Sequence, residues 1–492
     1  METEARAIET SDRDVFLRGV IEYGLLALIV LSPLPAASVY EWSILGIQLV
    51  SLIMLAAFAL LERKPAANPA LLADLKWPSR LLKGFAAFVV VQVVPWPGFL
   101  VSILSPGAAA FRSDFHPLFA GRGLMSFSLV PARTLQAGLE LLPFIIVGFL
   151  VVRTVVHRRQ IRRILFVLVA MGFFEAFYGL FELSRSNPRV LFYKKIYNLD
   201  SLTGTFINRN HLSGYLEMIL PLAIGLVLAR IDFFAVAGKG WRDKILQFAG
   251  KGVSQNVLTT LAGIVIAVGI VLSRSRSGAF ALVFGFVLFF GLTVLTFGRL
   301  RARQVWIKNF LTLTVWIIIL LSLYVGIGAT IQRFGQDNLL TAGRPVYWKN
   351  VLGVIGRFPL LGTGLGTFGY VYPAFETAPS VSEGVLLHAH NDYLEFQSEL
   401  GIVGMFFFGG AVFLLILKGF LMWRSRINPE MKGLAMGGFV SLFLILFHSL
   451  TDFNLQIPAN RLLFAIVLGL TLVMSYHGRT PGRIAQLRRF RE

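Results

Sequence analysis

The residues best suited to chemistry lie in the segment HAHNDYLEFQSELG, residues 388–401. Its ionisable side chains are His388, His390, Asp392, Glu395 and Glu399. A neutral imidazole can accept a proton from a hydroxyl group near pH 7, and a neighbouring carboxylate can orient it, so the segment predicts a general base. Two alternatives stay open: Asn391 or Asp392 caps a helix that begins here, or His388, His390 and Asp392 bind a metal ion.

Arginine side chains form a second set of candidates. Arg274 and Arg276 lie in the turn SRSRSG, and the planar guanidinium fork is well suited to binding phosphate. The alternative is that both side chains reach lipid headgroups. Arg344 opens a segment whose apolar spacing predicts a short amphipathic helix on the membrane surface, ending at Phe358-Pro359.

The segment GTFINRNHLSGYLEMILP, residues 204–221, combines polar residues with the start of an apolar run. Its candidates for binding or support are Arg209, Asn210, His211 and Glu217. Asn208 or Asn210 could cap the helix, and His211 would then lie in the first turn. A carboxylate at the depth of Glu217 is costly in a membrane, which makes it a functional candidate, and we expect an arginine as its partner.

Two further segments are interpreted as structural. The glycines of LLGTGLGTF, residues 360–368, do not follow a strand, so a dinucleotide site is rejected. They predict a tight turn that brings backbone close to a ligand. The segment HSLTDFNLQIPANR, residues 448–461, predicts a connecting turn built by Asp452 and Asn454.

Composition indicates what positions these residues. Of 492 residues, 56% are hydrophobic and only 15% are charged. Apolar runs long enough to cross a bilayer recur along the chain, so we predict an all-α polytopic membrane protein. The twelve predicted spans lie near 17–34, 40–61, 84–105, 134–152, 164–183, 211–229, 256–273, 277–297, 309–331, 397–417, 433–450 and 460–476.

The distribution of charge predicts the orientation. Most Lys and Arg residues fall in alternate connecting segments, which places both termini in the cytoplasm and the candidate residues on the opposite face. The net charge of +20 is therefore assigned to membrane topology, and no nucleic-acid partner is expected. Cysteine is absent from the sequence, so disulfides and thiolate chemistry are excluded.

We divide the chain into an N-terminal helical region (1–200), a catalytic membrane region (201–476) and a basic cytoplasmic tail (477–492). The catalytic region includes a long outside loop, residues 332–396, which contains short helices between predicted spans nine and ten.

These segments together resemble the O-antigen ligase and polymerase superfamily of bacterial envelope glycosyltransferases. The resemblance rests on GTFINRNHLSGYLEMILP, SRSRSG, GRPVYW, FPLLGTGLGTF and HNDYLEFQSELGIVG, and it covers roughly residues 200–460. It implies a multi-helix fold of the GT-C type in the bacterial inner membrane, with a periplasmic active site. It also implies a metal-independent reaction that needs no cofactor.

The resemblance further implies an undecaprenyl-diphosphate-linked glycan as donor. It assigns the catalytic pair to His390 and Asn391, although His388 leaves the identity of the base open. Diphosphate binding falls to Arg276 and Arg344, less surely to Arg209, and it does not decide between Arg274 and Arg276. The acceptor would be lipid A–core, a second lipid-linked glycan in O-antigen or exopolysaccharide synthesis, or a protein hydroxyl. A polytopic transporter is the alternative from another class.

Overall fold

The computed structural model describes residues 12–62, 64–65, 67–115, 123–230, 253–297, 344–377 and 386–478. The predicted span 309–331 and most of the basic tail lie outside these ranges. The described chain is helical apart from two short antiparallel strand pairs: β1 (Trp96–Pro97) with β2 (Leu124–Met125), and β3 (Arg189–Val190) with β4 (Tyr193–Lys194).

The described residues of the N-terminal half form eight α-helices. They are α1 (Asp12–Leu31), α2 (Glu41–Leu60), α3 (Pro69–Asp74), α4 (Lys76–Val93), α5 (Gly98–Leu104), α6 (Pro106–Phe115), α7 (Pro131–Thr154) and α8 (Arg158–Leu183). The predicted span 84–105 is corrected here. Helix α4 ends at Val93, because the sequence VVPWPG that follows cannot continue an α-helix through Pro95 and Pro97.

The described C-terminal half contains the elements that carry the candidate residues. They are α9 (Arg209–Arg230), α10 (Val253–Leu272), α11 (Arg276–Phe297), α12 (Arg344–Arg357), α13 (Phe368–Val371), α14 (Asp392–Arg424), α15 (Pro429–His448) and α16 (Pro458–Tyr476). Single 3₁₀ turns occur at Ala36–Ser38, Tyr372–Phe375 and Asn454–Gln456. The amphipathic helix predicted after Arg344 is confirmed as α12, which ends before Phe358-Pro359.

Nine helices of the described residues are long and apolar enough to cross a membrane: α2, α7, α8, α9, α10, α11, α14, α15 and α16. The predicted total of twelve is not reached in this set. Helices α1 and α4 coincide with predicted spans but are not among the nine. The chain is therefore a multi-pass membrane protein.

The centre of the bundle is formed by α9, α15 and α16, whose residues are mostly buried. Helix α9 packs along α15 with close backbone contact, because small residues line both helices. A Cβ atom added at Gly437 would lie 2.5 Å from the Pro221 carbonyl oxygen. This contact fixes α9 against α15, and the polar residues at one end of both helices are fixed with them.

We call that end of the bundle the site end. Helices α9, α11, α14 and α16 begin there, and α8, α10 and α15 end there. Three contacts join their termini: the Leu202 amide donates to the Leu272 carbonyl, Asn210 bonds Asp452, and Ser277 bonds Thr451. At the opposite end, Arg162 and Arg158 contact Glu430.

Candidate active site

Asp452 is the centre of the polar cluster at the site end. It lies in the turn between α15 and α16, and its side chain is fully buried. Its amide donates to the His448 carbonyl at the end of α15, and its carbonyl accepts from the Asp392 amide at the start of α14. The turn therefore holds the start of α14 against the end of α15, and the Asp452 side chain lies between them.

Four side chains surround the Asp452 carboxylate. Asn210 Nδ2 donates to Oδ2 over 2.6 Å, and Arg344 Nη2 lies 3.3 Å from the same oxygen. On the other oxygen, Oδ1, His390 Nδ1 lies at 3.4 Å and His211 Nε2 at 3.8 Å. Burial alone would raise the pKa of Asp452, but the nearby imidazoles of His211 and His390 and the charge of Arg344 hold it well below its usual range.

These partners come from three parts of the chain. Asn210 and His211 are in the first turn of α9, Arg344 begins α12, and His390 directly precedes the cap of α14. The amino ends of these three helices thus converge on one carboxylate. Because helix amino ends carry a partial positive charge, the cluster is electrostatically suited to an anion.

His390 has an unusual backbone conformation, with φ of 50°. This left-handed region is costly for a residue with a side chain and persists where the surroundings impose it. The neighbouring residue, Ala389, is fixed on both sides: its amide donates to Glu395 Oε2, and its carbonyl accepts from Trp348 Nε1. The ring is partly exposed, with Nδ1 facing Asp452.

Asn391 caps α14. Its side-chain oxygen accepts from the amides of Tyr393 and Leu394, and its Nδ2 donates to the Leu450 carbonyl. This geometry matches the capping alternative and identifies Asn391, rather than Asp392, as the cap. The amide of Asn391 therefore holds α14 against the 449–457 turn.

His388 lies beside a different carboxylate. Its Nδ1 is 2.8 Å from Glu395 Oε1, and its ring stacks on Phe453 with a centroid distance of 4.3 Å. Burial lowers the pKa of His388, but the charge of Glu395 and its hydrogen bond more than compensate and raise it. The two histidines thus have separate acidic partners. A neighbouring carboxylate for His390 was expected within its own segment, and the structure instead supplies Asp452.

Asp392 and Glu399 support the backbone around the cluster. Asp392 Oδ2 accepts from the Leu455 amide, which holds the 3₁₀ turn after Asp452. Glu399 Oε1 accepts from the Phe368 amide.

In the described ranges, no group of three or more His, Asp or Glu side chains is arranged to hold a metal ion, so the metal alternative gains no support there.

The glycine-rich turn packs against protein rather than approaching an open site. Gly362, Gly364 and Gly366 all have positive φ. A Cβ at Gly362 would lie 2.2 Å from the Glu399 carbonyl oxygen. The turn inserts where α14 is interrupted at Gly401, which has φ of 60° and ψ of −172°. The predicted tight turn is confirmed, and the close approach is to α14.

Glu217 forms a buried pair with His448, the last residue of α15. His448 Nδ1 lies 3.0 Å from Glu217 Oε2, and Ser213 Oγ donates to Oε1 over 2.9 Å. Within the described chain these partners take the place of the arginine that we expected, so that expectation is corrected. The pair lies beneath the SRSRSG turn, because a Cβ added at Gly278 would meet both Ser213 and Glu217.

The predicted phosphate ligands fall into two groups. Arg344 contacts Asp452, whereas Arg274 Nη1 bonds Asp200 Oδ2 at 2.6 Å and Arg209 Nη1 lies 3.3 Å from Ser201 Oγ. Arg276 begins α11 and is followed by Ser277, whose hydroxyl bonds Thr451 next to Asp452. Arg276 therefore directly precedes a residue that contacts the chain neighbour of Asp452. Arg274 and Arg209, in contrast, contact the segment preceding α9.

Sequence reasoning missed three residues of the site. Asp452 was interpreted as a turn residue and His448 as part of the same structural turn. Both are fully buried and ion-paired or hydrogen-bonded. Phe453 was overlooked: its ring contacts those of His211, His388 and His390 at 4.5, 4.3 and 4.8 Å. A usable signal was the concentration of His, Asp and Asn in one short turn between two apolar runs.

An apolar cavity of about 1190 Å³ extends from the site end into the bundle. It lies between α4, α7, α14 and α16 and reaches Asp392 and Ser449 near the polar cluster. Lys76 and Arg80 line it at its far end. The cavity is therefore a long, mainly hydrocarbon-lined space that meets the polar cluster at one end.

Comparison with known families identifies one domain. Residues 261–409 match the family model described as O-Antigen ligase, so this part of the chain is an O-antigen ligase family domain. The matched range contains Arg274, Arg276, Arg344 and His390, but neither His211 nor Asp452. No curated protein sequence matches the chain. Membership of this family implies a glycosyltransferase of the ligase or polymerase type.

Proposed function

We propose that this O-antigen ligase family domain transfers a glycan from an undecaprenyl-diphosphate carrier to an acceptor hydroxyl at the periplasmic face of the inner membrane. The observation that carries the proposal is the arrangement around Asp452, where His390, His211 and Arg344 meet one buried carboxylate at one end of the bundle. The match of residues 261–409 gives the reaction class.

His390 acts as the general base in this proposal. Because Nδ1 faces Asp452, the ring presents Nε2 on its other side to the acceptor hydroxyl. The hydroxyl oxygen forms a bond to the anomeric carbon, its proton passes to Nε2, and the bond from that carbon to the diphosphate oxygen breaks. Asp452 orients the imidazole and stabilises the imidazolium that forms, as a carboxylate does in other histidine-based sites.

The leaving diphosphate requires stabilisation of negative charge. Arg344 and Arg276 are the proposed ligands, supported by the amino ends of α9, α11 and α12 at the same place. Arg274 and Arg209 are the second choice, because they contact the 200–201 segment, whereas Arg344 contacts Asp452 directly and Arg276 precedes Ser277, which bonds Thr451. A displacement on the face opposite the diphosphate predicts inversion at the anomeric carbon, which NMR of donor and product linkages would test.

The apolar cavity supports a lipid-linked substrate. Its volume and lining suit a hydrocarbon chain, and its contact with Asp392 and Ser449 would bring the polar end of such a lipid towards the catalytic cluster. The cavity suits the polyprenyl chain of the donor, and the proposed acceptors stay lipid A–core, a second carrier-linked glycan or a protein hydroxyl.

A donor-consumption assay tests the proposal. Purified protein in detergent is given an undecaprenyl-diphosphate-linked glycan and an acceptor fraction, and release of undecaprenyl diphosphate is followed. His390→Gln should abolish release, whereas His477→Gln, a matched histidine at the opposite end, should leave it unchanged. A folded His390→Gln protein with the wild-type rate would show that the base is wrongly assigned. A wild-type protein inert with every acceptor fraction would contradict the proposed reaction.

A further inference from the structure

A small β-hairpin projects from the site end between α8 and α9. Its strands are β3 and β4, and the connecting residue Leu191 has φ of 49°. Phe192 at the tip is 90% exposed. The residues that follow add further exposed apolar side chains, Tyr193, Ile196, Tyr197 and Leu199, each more than half exposed. Such a concentration of exposed aromatic and aliphatic surface marks an interaction site.

The hairpin is held firmly at its base. Tyr178 of α8 donates its hydroxyl to the Arg189 carbonyl and accepts from the Leu191 amide, over 3.3 and 2.8 Å. The Arg189 amide donates to Glu182 Oε2 over 2.6 Å. The exposure of Phe192 is therefore a property of an anchored turn.

The hairpin lies where helices enter the membrane. It follows α8 directly, and Tyr193 contacts Tyr40, which precedes α2, at a ring-centroid distance of 6.1 Å. Tyr40 in turn stacks with Trp42 in the first turn of α2. Tyrosine and tryptophan favour the boundary between the hydrocarbon and the headgroups, so this cluster lies at headgroup depth.

The charges within the hairpin segment itself have one sign. Arg185, Arg189 and Lys194 are exposed, and residues 183–199 contain neither Asp nor Glu. The nearest acidic residues are Glu182, which is buried and paired with Arg185, and Asp200, which is paired with Arg274. Exposed apolar side chains flanked by cations are the pattern of a segment that inserts among anionic lipids.

We propose that the hairpin, residues 189–199, inserts Phe192 and its apolar neighbours into the membrane interface, with Arg189 and Lys194 binding the phosphates of anionic phospholipids. The occupant is lipid, since the hairpin is anchored to the end of α8 and contacts Tyr40 at the start of α2, and both are membrane-spanning helices. This surface is separate from the proposed reaction. Insertion of the hairpin also sets the depth of Arg274 and Arg209 in the membrane. These side chains contact Asp200 and Ser201, which directly follow the hairpin in the chain.

The absence of cysteine from the sequence allows a direct test. Phe192→Cys is introduced in the full chain, labelled with a nitroxide and reconstituted in nanodiscs containing phosphatidylglycerol. Collision with oxygen and with a water-soluble nickel chelate then reports the depth of the label. Ser186→Cys is the matched control, because Ser186 is exposed in the polar turn just before the hairpin.

The label at position 192 should collide mainly with oxygen, and the label at 186 mainly with nickel. Replacing phosphatidylglycerol by phosphatidylcholine, or adding Arg189→Gln and Lys194→Gln, should shift position 192 towards nickel, with about fivefold weaker insertion for each cation removed. Equal nickel access at 192 and 186 would overturn the proposal. So would protection of position 192 from both reagents, because that result indicates a protein partner. A depth unaffected by lipid charge or by the two substitutions would overturn the role of the cations.

Discussion

Replacing Asp452 by Asn should disable the protein while leaving the helical bundle assembled. The substitution keeps the size of the side chain but removes its charge. It also cannot satisfy the existing contacts, because both carboxylate oxygens face donors. Asn210 and Arg344 meet Oδ2, while the Phe453 amide and His390 meet Oδ1. The NH2 group of asparagine replaces one of the two oxygens, and its hydrogens then face the donors on that side.

The effect on catalysis can be bounded. General acid–base catalysis contributes about 10²–10⁴-fold, and an orienting carboxylate controls much of that through the tautomer of its histidine. The separation of 3.4 Å between His390 Nδ1 and Asp452 Oδ1 is long for a hydrogen bond, which favours the lower half of that range. We expect a fall in turnover of about 10²–10³-fold.

The effect on stability should be moderate. Leaving a buried donor unpaired costs about 1–3 kcal/mol, and the partly exposed Arg344 can turn towards water. Because the folded pKa of Asp452 is below its unfolded value, its contribution is present above the unfolded pKa of about 3.9 and is lost as the pH falls through the folded pKa. The difference in melting temperature between wild type and Asp452→Asn should therefore be large at pH 7 and shrink in acid.

The assay compares donor turnover and melting temperature for Asp452→Asn and for Glu430→Gln. Glu430 is an ion-paired carboxylate at the opposite end of the bundle, so it controls for the loss of one charge. It should keep its turnover and lose at most about 1 kcal/mol of stability. A folded Asp452→Asn protein that turns over donor at the wild-type rate would refute the role assigned to Asp452.

Four further predictions follow from individual contacts. His388→Gln should destabilise the protein more at pH 5.5 than at pH 9 in thermal melts, because the raised pKa of His388 gives stability that is complete below about 6.5 and lost as pH rises through the folded value; an equal loss at both pH values would contradict this. Gly362→Ala should lower the melting temperature sharply and Gly356→Ala should not, because a Cβ meets the Glu399 carbonyl at the first position and open space at the second. Glu217→Ala should cost about 3–5 kcal/mol by leaving His448 buried without its partner, and a chemical denaturation midpoint unchanged from wild type would refute the pairing. In spheroplasts, a membrane-impermeant maleimide should label Ser186→Cys, whereas Ile427→Cys should react only after lysis, and the reverse pattern would invert the proposed orientation.

The helices were predictable because their signal is local. Each apolar run of the described chain that was assigned to a span lies in a helix, and the amphipathic pattern after Arg344 gave the bounds of α12 closely. The exception, α4, shows the limit of hydropathy. The apolar run continues past Val93, but Pro95 and Pro97 divert the backbone into β1.

The candidate site was only half predictable because its contacts join distant residues. Asp452 meets His390, Arg344 and Asn210, which are 62, 108 and 242 residues away in the chain. A single sequence identifies which residues could act, as it did for His390 and Arg344. It does not show which carboxylate each histidine meets. A carboxylate of the 388–401 segment, which includes Asp392 and Glu395, was expected beside His390, and Asp452 occupies that position.

The ring of Phe453 has a consequence for how protons can move in this cluster. Its ring contacts the imidazoles of His211, His388 and His390, and a phenyl ring neither donates nor accepts a proton. His388 is thus insulated from His390, and a proton taken from an acceptor by one cannot be passed directly to the other. The phenyl group therefore borders two sets of bases with different acids: His388 with Glu395, and His390 with His211 at Asp452.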